Sequence, residues 1–108
     1  MSLLNKRCVP CEGGVKPFSS AQIKDYLQET PKWKVLDGEK INREFKFKDF
    51  KEAMIFVNKV ANLAETEGHH PDINISYSKV SLKLFTHAIG GLSENDFILA
   101  AKIDQIHS

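Results

Sequence analysis

The sequence predicts a two-layer α+β sandwich, in which three helices cover one face of a four-stranded, mainly antiparallel sheet. Capping residues mark three helix starts, and two segments alternate apolar and polar residues at the period of β-hairpins. The central helix separates these hairpins, so the order is helix, hairpin, helix, hairpin, helix. A length of 108 residues suits one domain and is too short for two independent cores.

Residues 1–17 show no hydrophobic period and are rich in proline and glycine, so we expect an irregular N-terminal arm. Residues 18–108 are expected to form a single domain. No structural role is assigned to Leu3, because the first residues carry no pattern. Cys8 and Cys11 form the only cysteine pair, which is half of a tetrahedral zinc site, so we predict neither a structural zinc nor a disulfide.

The first helix is predicted from Ser19 to about Glu29, because Ser19 and Gln22 have the spacing of a capping box. Asp37-Gly38 is a two-residue signal for the turn of the first hairpin. The strand that follows alternates, which predicts one buried and one solvated face. The buried side is expected to carry Ile41, Arg43, Phe45 and Phe47.

Asp49 and Glu52 predict the start of the central helix, and Gly68 predicts a left-handed end just after Glu67. Apolar residues at helical spacing form its buried stripe. Some apolar residues lie partly outside that stripe, which predicts a second buried surface, most simply a subunit contact. These are Ile55, Phe56 and Leu63.

The second hairpin is predicted to turn at Ser78-Lys79. Its apolar positions before and after the turn are Ile73, Ile75, Val80, Leu82 and Leu84. A third capping box, Ser93 and Asp96, begins a last helix that runs to about Ile106.

Charge and hydropathy exclude several classes of function. The net charge is +1 with histidine neutral, which argues against a nucleic-acid binder that relies on bulk positive charge and against polybasic membrane attachment. No apolar run approaches the roughly 20 residues of a membrane span, and no secretory signal is recognisable. We therefore expect a cytoplasmic protein with reduced thiols.

The histidines are the most informative residues. His69 and His70 precede the second hairpin, and a turn at Ser78-Lys79 would place His70 nearly opposite His87. Three imidazoles are then expected to meet at one end of the sheet, with Glu65 nearby, whereas His107 is expected to be inert at a fraying terminus. Imidazole donates and accepts protons near neutral pH, so this cluster favours proton-transfer chemistry over covalent catalysis.

One composite motif resembles a known family. Its members in this chain are Glu65, His69-His70-Pro71, Tyr77, His87 and Asp96, and their spacing is similar to the signature of the pterin-4a-carbinolamine dehydratases. The resemblance covers residues 18–106. The chain departs from the better-known animal members at three positions, Gly68, Ile73 and Ala88, where an acidic residue, tryptophan and glutamate are common.

The resemblance implies dehydration of 4a-hydroxytetrahydrobiopterin to the quinonoid dihydropterin, with His69, His70 and His87 as catalytic residues. It implies that Glu65, Thr86 and Asp96 bind or orient the substrate, with no metal and no cofactor. A homodimer or homotetramer and a functional link to an aromatic amino-acid hydroxylase are expected on the same basis. The alternative is a non-catalytic oligomerisation or assembly partner, or a transcriptional coactivator-type member of the family.

Overall fold

The computed structural model describes residues 3–8 and 16–107. The three helices are α1 (Ser20–Leu27), α2 (Phe50–Glu67) and α3 (Glu94–His107). The four strands are β1 (Lys34–Leu36), β2 (Lys40–Lys46), β3 (Asp72–Ser76) and β4 (Lys79–Leu84). The predicted order of helix, hairpin, helix, hairpin and helix is confirmed.

The sheet has the strand order β1-β2-β4-β3, and its three strand pairs are antiparallel. The two hairpins therefore join through β2 and β4, which become the central strands. In that pairing Ile41 faces Leu84 and Phe45 faces Val80, so the apolar positions of both strands lie on one face. The predicted α+β fold with a four-stranded antiparallel sheet is confirmed.

The hydrophobic core lies between this face and the helices. Strands β2 and β4 contribute their alternate apolar residues, all fully or almost fully buried, and α2 and α3 cover them. Burial of apolar surface is the main favourable term in folding, so this interface holds the two layers together. Core residues of the sheet are Ile41, Phe45, Val80, Leu82 and Leu84, and those of the helices include Ala53, Val57, Val60, Phe97, Ile98 and Leu99.

Helix boundaries follow the predicted caps closely. Ser19 and Gln22 form the reciprocal capping box, and the α1 helix ends at Leu27, two residues before the predicted end. Asp49 accepts a hydrogen bond from the backbone N–H of Glu52 at the start of α2. Gly68 ends α2 with a φ of 69°, the left-handed conformation in which glycine carries no steric penalty.

The turn of the second hairpin differs from its prediction by one residue. Ser76 pairs with Lys79, so the turn is Tyr77-Ser78 and not Ser78-Lys79, and Tyr77 takes a left-handed φ of 53°. Asp72 pairs with Lys83, and the same register continued outward places position 70 opposite position 85. The prediction that His70 lies opposite His87 is therefore wrong.

The first hairpin also has a longer loop than predicted. Leu36 pairs with Lys40, which leaves three residues between the strands instead of two. Asp37 and Gly38 both have left-handed φ values, 54° and 68°, as expected for the residues that reverse the chain.

The start of the arm packs against the domain. Residues Leu3–Asn5 form a 3-10 turn, and the Leu3 side chain is fully buried in the core. The Leu3 backbone N–H also donates to a Glu29 carboxylate oxygen at 3.0 Å. The expectation that Leu3 has no structural role is therefore wrong. Its burial depends on contacts with residues distant in sequence, which no local pattern indicates. The rest of the arm that includes Cys11 lies outside the described residues.

The second apolar strip of α2 divides between core and surface. Phe56 is buried and joins the core, whereas Ile55 is 48% exposed. Phe50, at the start of the same helix, is also half exposed. No helix within residues 3–8 and 16–107 combines the length and apolar character needed to cross a membrane.

His107 packs at the end of α3 instead of fraying. Its ring lies against the rings of Phe45, Phe47 and Phe56, with centroid distances of 4.9, 5.7 and 5.8 Å. A cavity of about 220 Å³ opens beside it, lined partly by Ile55 and Ile106. Burial of the ring, followed by the positive charge of Arg43, lowers the pKa of His107 below its ordinary value.

Leu3→Ala is expected to lower the free energy of unfolding by about 2–3 kcal/mol, because it removes a fully buried side chain and leaves a cavity. The matched control is Leu4→Ala, since Leu4 is 43% exposed and its truncation should cost less than about 0.5 kcal/mol. Urea unfolding of both variants measures the difference. Equal, small losses of unfolding free energy in the two variants would show that the Leu3 side chain does not pack in the core.

His107 should make stability fall in mild acid. Because its pKa is lowered in the folded state, the unfolded chain binds more protons below about pH 6.5, so stability is full above that pH and is lost as the pH falls. His107→Gln removes this contribution. Urea unfolding at pH 7.5 and 5.5 should show a smaller acid loss in the variant than in the wild type; the same loss in both would contradict the assignment.

Candidate active site

The carboxylate of Asp96 lies at the centre of the site. It sits in the first turn of α3, is fully buried, and accepts hydrogen bonds from three segments of the chain. Oδ2 accepts from the backbone N–H of Ser93 at 3.0 Å and from the Thr86 hydroxyl at 2.9 Å. Oδ1 lies 2.6 Å from Nε2 of His69. The positive end of the α3 dipole favours a negative charge at this position.

Thr86 connects Asp96 to the loop after β4. Its single hydroxyl hydrogen goes to Asp96, so the Ser93 hydroxyl must donate to Thr86 Oγ1, at 2.9 Å. The backbone N–H of Thr86 donates to the Gly91 carbonyl at 2.8 Å and closes a short loop. That loop contains the 3-10 turn His87–Ile89, so the carboxylate indirectly anchors the segment that carries His87.

His69 is held at both its backbone and its ring. Its N–H donates to the Ala64 carbonyl of α2 at 3.3 Å, directly after the turn at Gly68. A carboxylate can only accept, so Nε2 of the largely buried ring carries the proton that bonds to Asp96. Asp96 thereby fixes the tautomer and leaves Nδ1 as the basic nitrogen.

His70 lies on the other side of the chain and forms a separate, solvent-facing pair. Its Nε2 is 3.0 Å from Oε1 of Glu65, and the two side chains are 59% and 80% exposed. Adjacent residues of an extended segment point in opposite directions, which separates His70 from the buried His69. Because an exposed ion pair adds little stability, the fold does not depend on this one. Both side chains are accessible for contact with a ligand.

His87 is exposed and lies beyond the end of β4, not within that strand. Its ring packs on Phe85 with a centroid distance of 4.1 Å. Its segment is linked to the segment of His69 through Asp96, not by the predicted cross-strand contact. Because Thr86 and His69 bind the same carboxylate, Asp96 ties the segments of His69 and His87 together.

Sequence analysis missed two residues of this arrangement. Ser93 was noted only as a helix cap, although its hydroxyl and its N–H both enter the Asp96 network. Gly91 is not among the predicted site residues. A Cβ at Gly91 would lie 2.6 Å from the Cβ of Pro17, so a side chain there would displace one of the two segments. The capping-box pattern was the available sequence signal for Ser93. No sequence pattern indicates that Pro17 packs closely against Gly91.

A metal site needs several ligand side chains that converge on one point. Over residues 3–8 and 16–107, no three histidine, cysteine, aspartate or glutamate side chains are placed to hold an ion. Burial and then the nearby Glu67 charge raise the pKa of the Cys8 thiol to about 12. Cys11, the second residue of that pair, lies outside the described residues.

Similarity to known proteins covers nearly the whole chain. A relative from Alkaliphilus metalliredigens that bears the name pterin-4-alpha-carbinolamine dehydratase is 50% identical, over 99% of this chain and 97% of the relative. A relative of the same name from Halorhodospira halophila is 49% identical, over 98% of each chain.

Solved structures agree with this similarity. A "transcriptional coactivator/pterin dehydratase" from Brucella melitensis superposes with a TM-score of 0.81 and 33% identity, over 86% of this chain and 100% of that one. A pterin dehydratase-like protein described as a RuBisCO assembly factor in the alpha-carboxysome shares the fold at 24% identity, with a TM-score of 0.59 over 68% of this chain and 87% of that one. The model of the Pterin 4 alpha carbinolamine dehydratase family matches residues 16–106, and the chain therefore belongs to this family.

Proposed function

We propose that this protein is a hydro-lyase that dehydrates 4a-hydroxytetrahydrobiopterin to the quinonoid dihydropterin. The observation that carries the proposal is the buried Asp96 carboxylate, which holds His69 and anchors the segment of His87 in a chain of this family. The reaction would recycle the tetrahydropterin cofactor of aromatic amino-acid hydroxylases. We place the protein in the cytoplasm and take such a hydroxylase as its functional partner.

The chemistry needs two proton transfers and no redox step. The C4a–O bond breaks as the departing hydroxyl takes a proton from an acid, and water leaves. A ring nitrogen loses its proton to a base, and its electron pair forms the new double bond to C4a. Two imidazoles, one protonated and one neutral, can supply both transfers near neutral pH.

We assign those transfers to His69 and His87. His69 offers Nδ1, because its Nε2–H is occupied by Asp96. His87 is exposed at the start of its 3-10 turn and free to face a substrate. Either of the two can be the acid, and the sequence motif fits both assignments. His70, with Glu65 beside it, is assigned to holding the pterin.

Asp96 and Thr86 act as positioning residues in this proposal. Both are buried, so they have no surface with which to touch a pterin. Their hydrogen bonds set the ring of His69 and the loop that begins at His87. A site whose acid and base are held in place avoids the entropic cost of bringing them together in the transition state.

We also propose that the protein is a homodimer or homotetramer. In the described part of the chain, β3 is an edge strand with no partner on its outer side. Ile73 and Ile75 of this strand lie on the same face as the core residues of β4 but are each 37% exposed. An edge strand with exposed apolar residues is a ready surface for pairing with another chain.

The second candidate function is assembly or coactivation without catalysis. Its support is the two similar structures, one of a transcriptional coactivator/pterin dehydratase and one of a RuBisCO assembly factor. The enzyme needs proton-transfer groups, and this chain has all three motif histidines, with His69 bound to a buried carboxylate. We therefore favour the enzyme.

Histidine substitutions test the enzyme directly. The assay follows the ultraviolet decay of enzymatically generated 4a-hydroxytetrahydropterin with and without protein. His69→Gln and His87→Gln should each lower kcat about 100-fold, the usual scale of general acid–base catalysis. His70→Gln should mainly raise KM.

The matched control is His107→Gln, because His107 lies in the aromatic cluster away from the site and should keep the wild-type rate. If the wild-type protein fails to accelerate the decay, the enzyme proposal is wrong. A near-normal kcat for His87→Gln would remove His87 from the mechanism.

Asp96→Asn tests the positioning role. The amide replaces one acceptor oxygen by a donor, which faces other donors inside the protein, so unfolding free energy should fall by about 1–3 kcal/mol. We expect kcat to fall at least about tenfold in the folded fraction, with KM nearly unchanged, because His69 loses its fixed tautomer. Asp25→Asn, on the exposed side of α1, should change neither quantity. An Asp96→Asn variant with normal kcat would contradict the role.

A further inference from the structure

A second buried carboxylate lies two residues before His69. Glu67 is the last residue of α2, and its side chain is only 4% exposed. The negative end of the helix dipole makes this an unfavourable place for an anion, and burial removes its hydration. The carboxylate must therefore be compensated by its contacts.

Two groups donate hydrogen bonds to this carboxylate. Oε2 accepts from the ammonium of Lys102 on α3 at 2.8 Å, and Oε1 accepts from the backbone N–H of Cys8 at 2.9 Å. Burial alone would raise the pKa of Glu67, but these hydrogen bonds and the positive charges of Lys102 and Arg7 together leave the pKa below its ordinary value. Glu67 is thus a charged group joined to α3 and to the N-terminal arm.

The arm also contacts the residue next to Asp96. The Cys8 thiol lies 3.6 Å from the backbone carbonyl of Asn95, and Lys6 binds Glu94 at 2.8 Å. The His69–Asp96 bond and the Glu67–Lys102 ion pair therefore link the same two segments, the end of α2 and α3. The described start of the arm therefore contacts Glu67 itself and the two residues that precede Asp96.

We propose that Glu67, paired with Lys102 and closed by the arm, is a positioning residue for His69. The inference rests on the proposed dehydratase function. Gly68 separates Glu67 from His69, and glycine is the most flexible residue, so this turn needs an external constraint to hold the ring in register with Asp96. The ion pair supplies that constraint by fixing the helix end on the α3 side of the site.

A purely structural role of the ion pair and a positioning role predict different values of kcat when both charges are removed. Replacing a buried ion pair by apolar side chains of similar size is often neutral or stabilising, because the desolvation cost disappears with the charges. The double variant Glu67→Leu/Lys102→Met removes both charges and loses only the hydrogen bond from the Cys8 N–H, so it should remain folded. It should nevertheless lower kcat about tenfold with KM within about twofold, since a small misplacement of a reacting group is costly.

Two further variants complete the experiment. Lys102→Arg preserves the ion pair and should restore most of kcat relative to Lys102→Met. Asp104→Asn is the control for the single variant Glu67→Gln, because Asp104, in the second half of α3, pairs with Arg43 of β2 and its substitution should leave kcat unchanged. The Hε1 proton resonance of His69, measured by NMR without substrate, should shift in the Glu67 variants and stay in place in Asp104→Asn.

The outcomes separate the two proposals. An inactive wild-type protein overturns the dehydratase function, while the NMR comparison still tests the link between Glu67 and His69. An active wild type whose Glu67→Leu/Lys102→Met variant keeps both kcat and the His69 resonance overturns the positioning role. A loss of kcat that simply follows a loss of folded protein overturns it as well.

Discussion

The buried carboxylate of Asp96 is the interaction on which the site depends. A buried charge is costly unless it is fully hydrogen-bonded, and here the donors come from three separate segments: His69, Thr86 and Ser93. Breaking any of them leaves the charge partly uncompensated. The loop after α2, the loop after β4 and the first turn of α3 are thereby fixed relative to one another.

The two buried carboxylates occupy opposite helix ends. Asp96 lies at the favourable N-terminal end of α3, whereas Glu67 lies at the unfavourable C-terminal end of α2 and is compensated by Lys102. Together they hold α2 against α3 beside the histidines. The side chains that remain exposed, His70 with Glu65 and His87, are those left for a ligand. The buried carboxylates therefore hold the site in place, and the exposed side chains are the ones that can contact a ligand.

The local signals in the sequence predicted most of the fold. Ser19, Asp49 and Gly68 act through their own neighbours, so caps and helix ends could be located. The turn at Tyr77 could not be located, because a left-handed non-glycine residue has no sequence signal. The turn lies one residue earlier than predicted, and His70 is therefore not opposite His87. The burial of Leu3 depends on contacts between distant residues, which no period reveals. In the site, the motif pointed to Asp96, but only the structure relates it to His69 and Thr86 by named hydrogen bonds.

The central claim is that ionised Asp96 fixes the tautomer of His69. Nitrogen-15 NMR of the imidazole rings in the wild-type protein, at neutral pH and without ligand, measures this directly. The account predicts a His69 ring with its proton on Nε2, bonded to Asp96 Oδ1, and an unprotonated Nδ1. A ring protonated on Nδ1 with a bare Nε2 would mean that Asp96 donates instead of accepting, and would contradict the account.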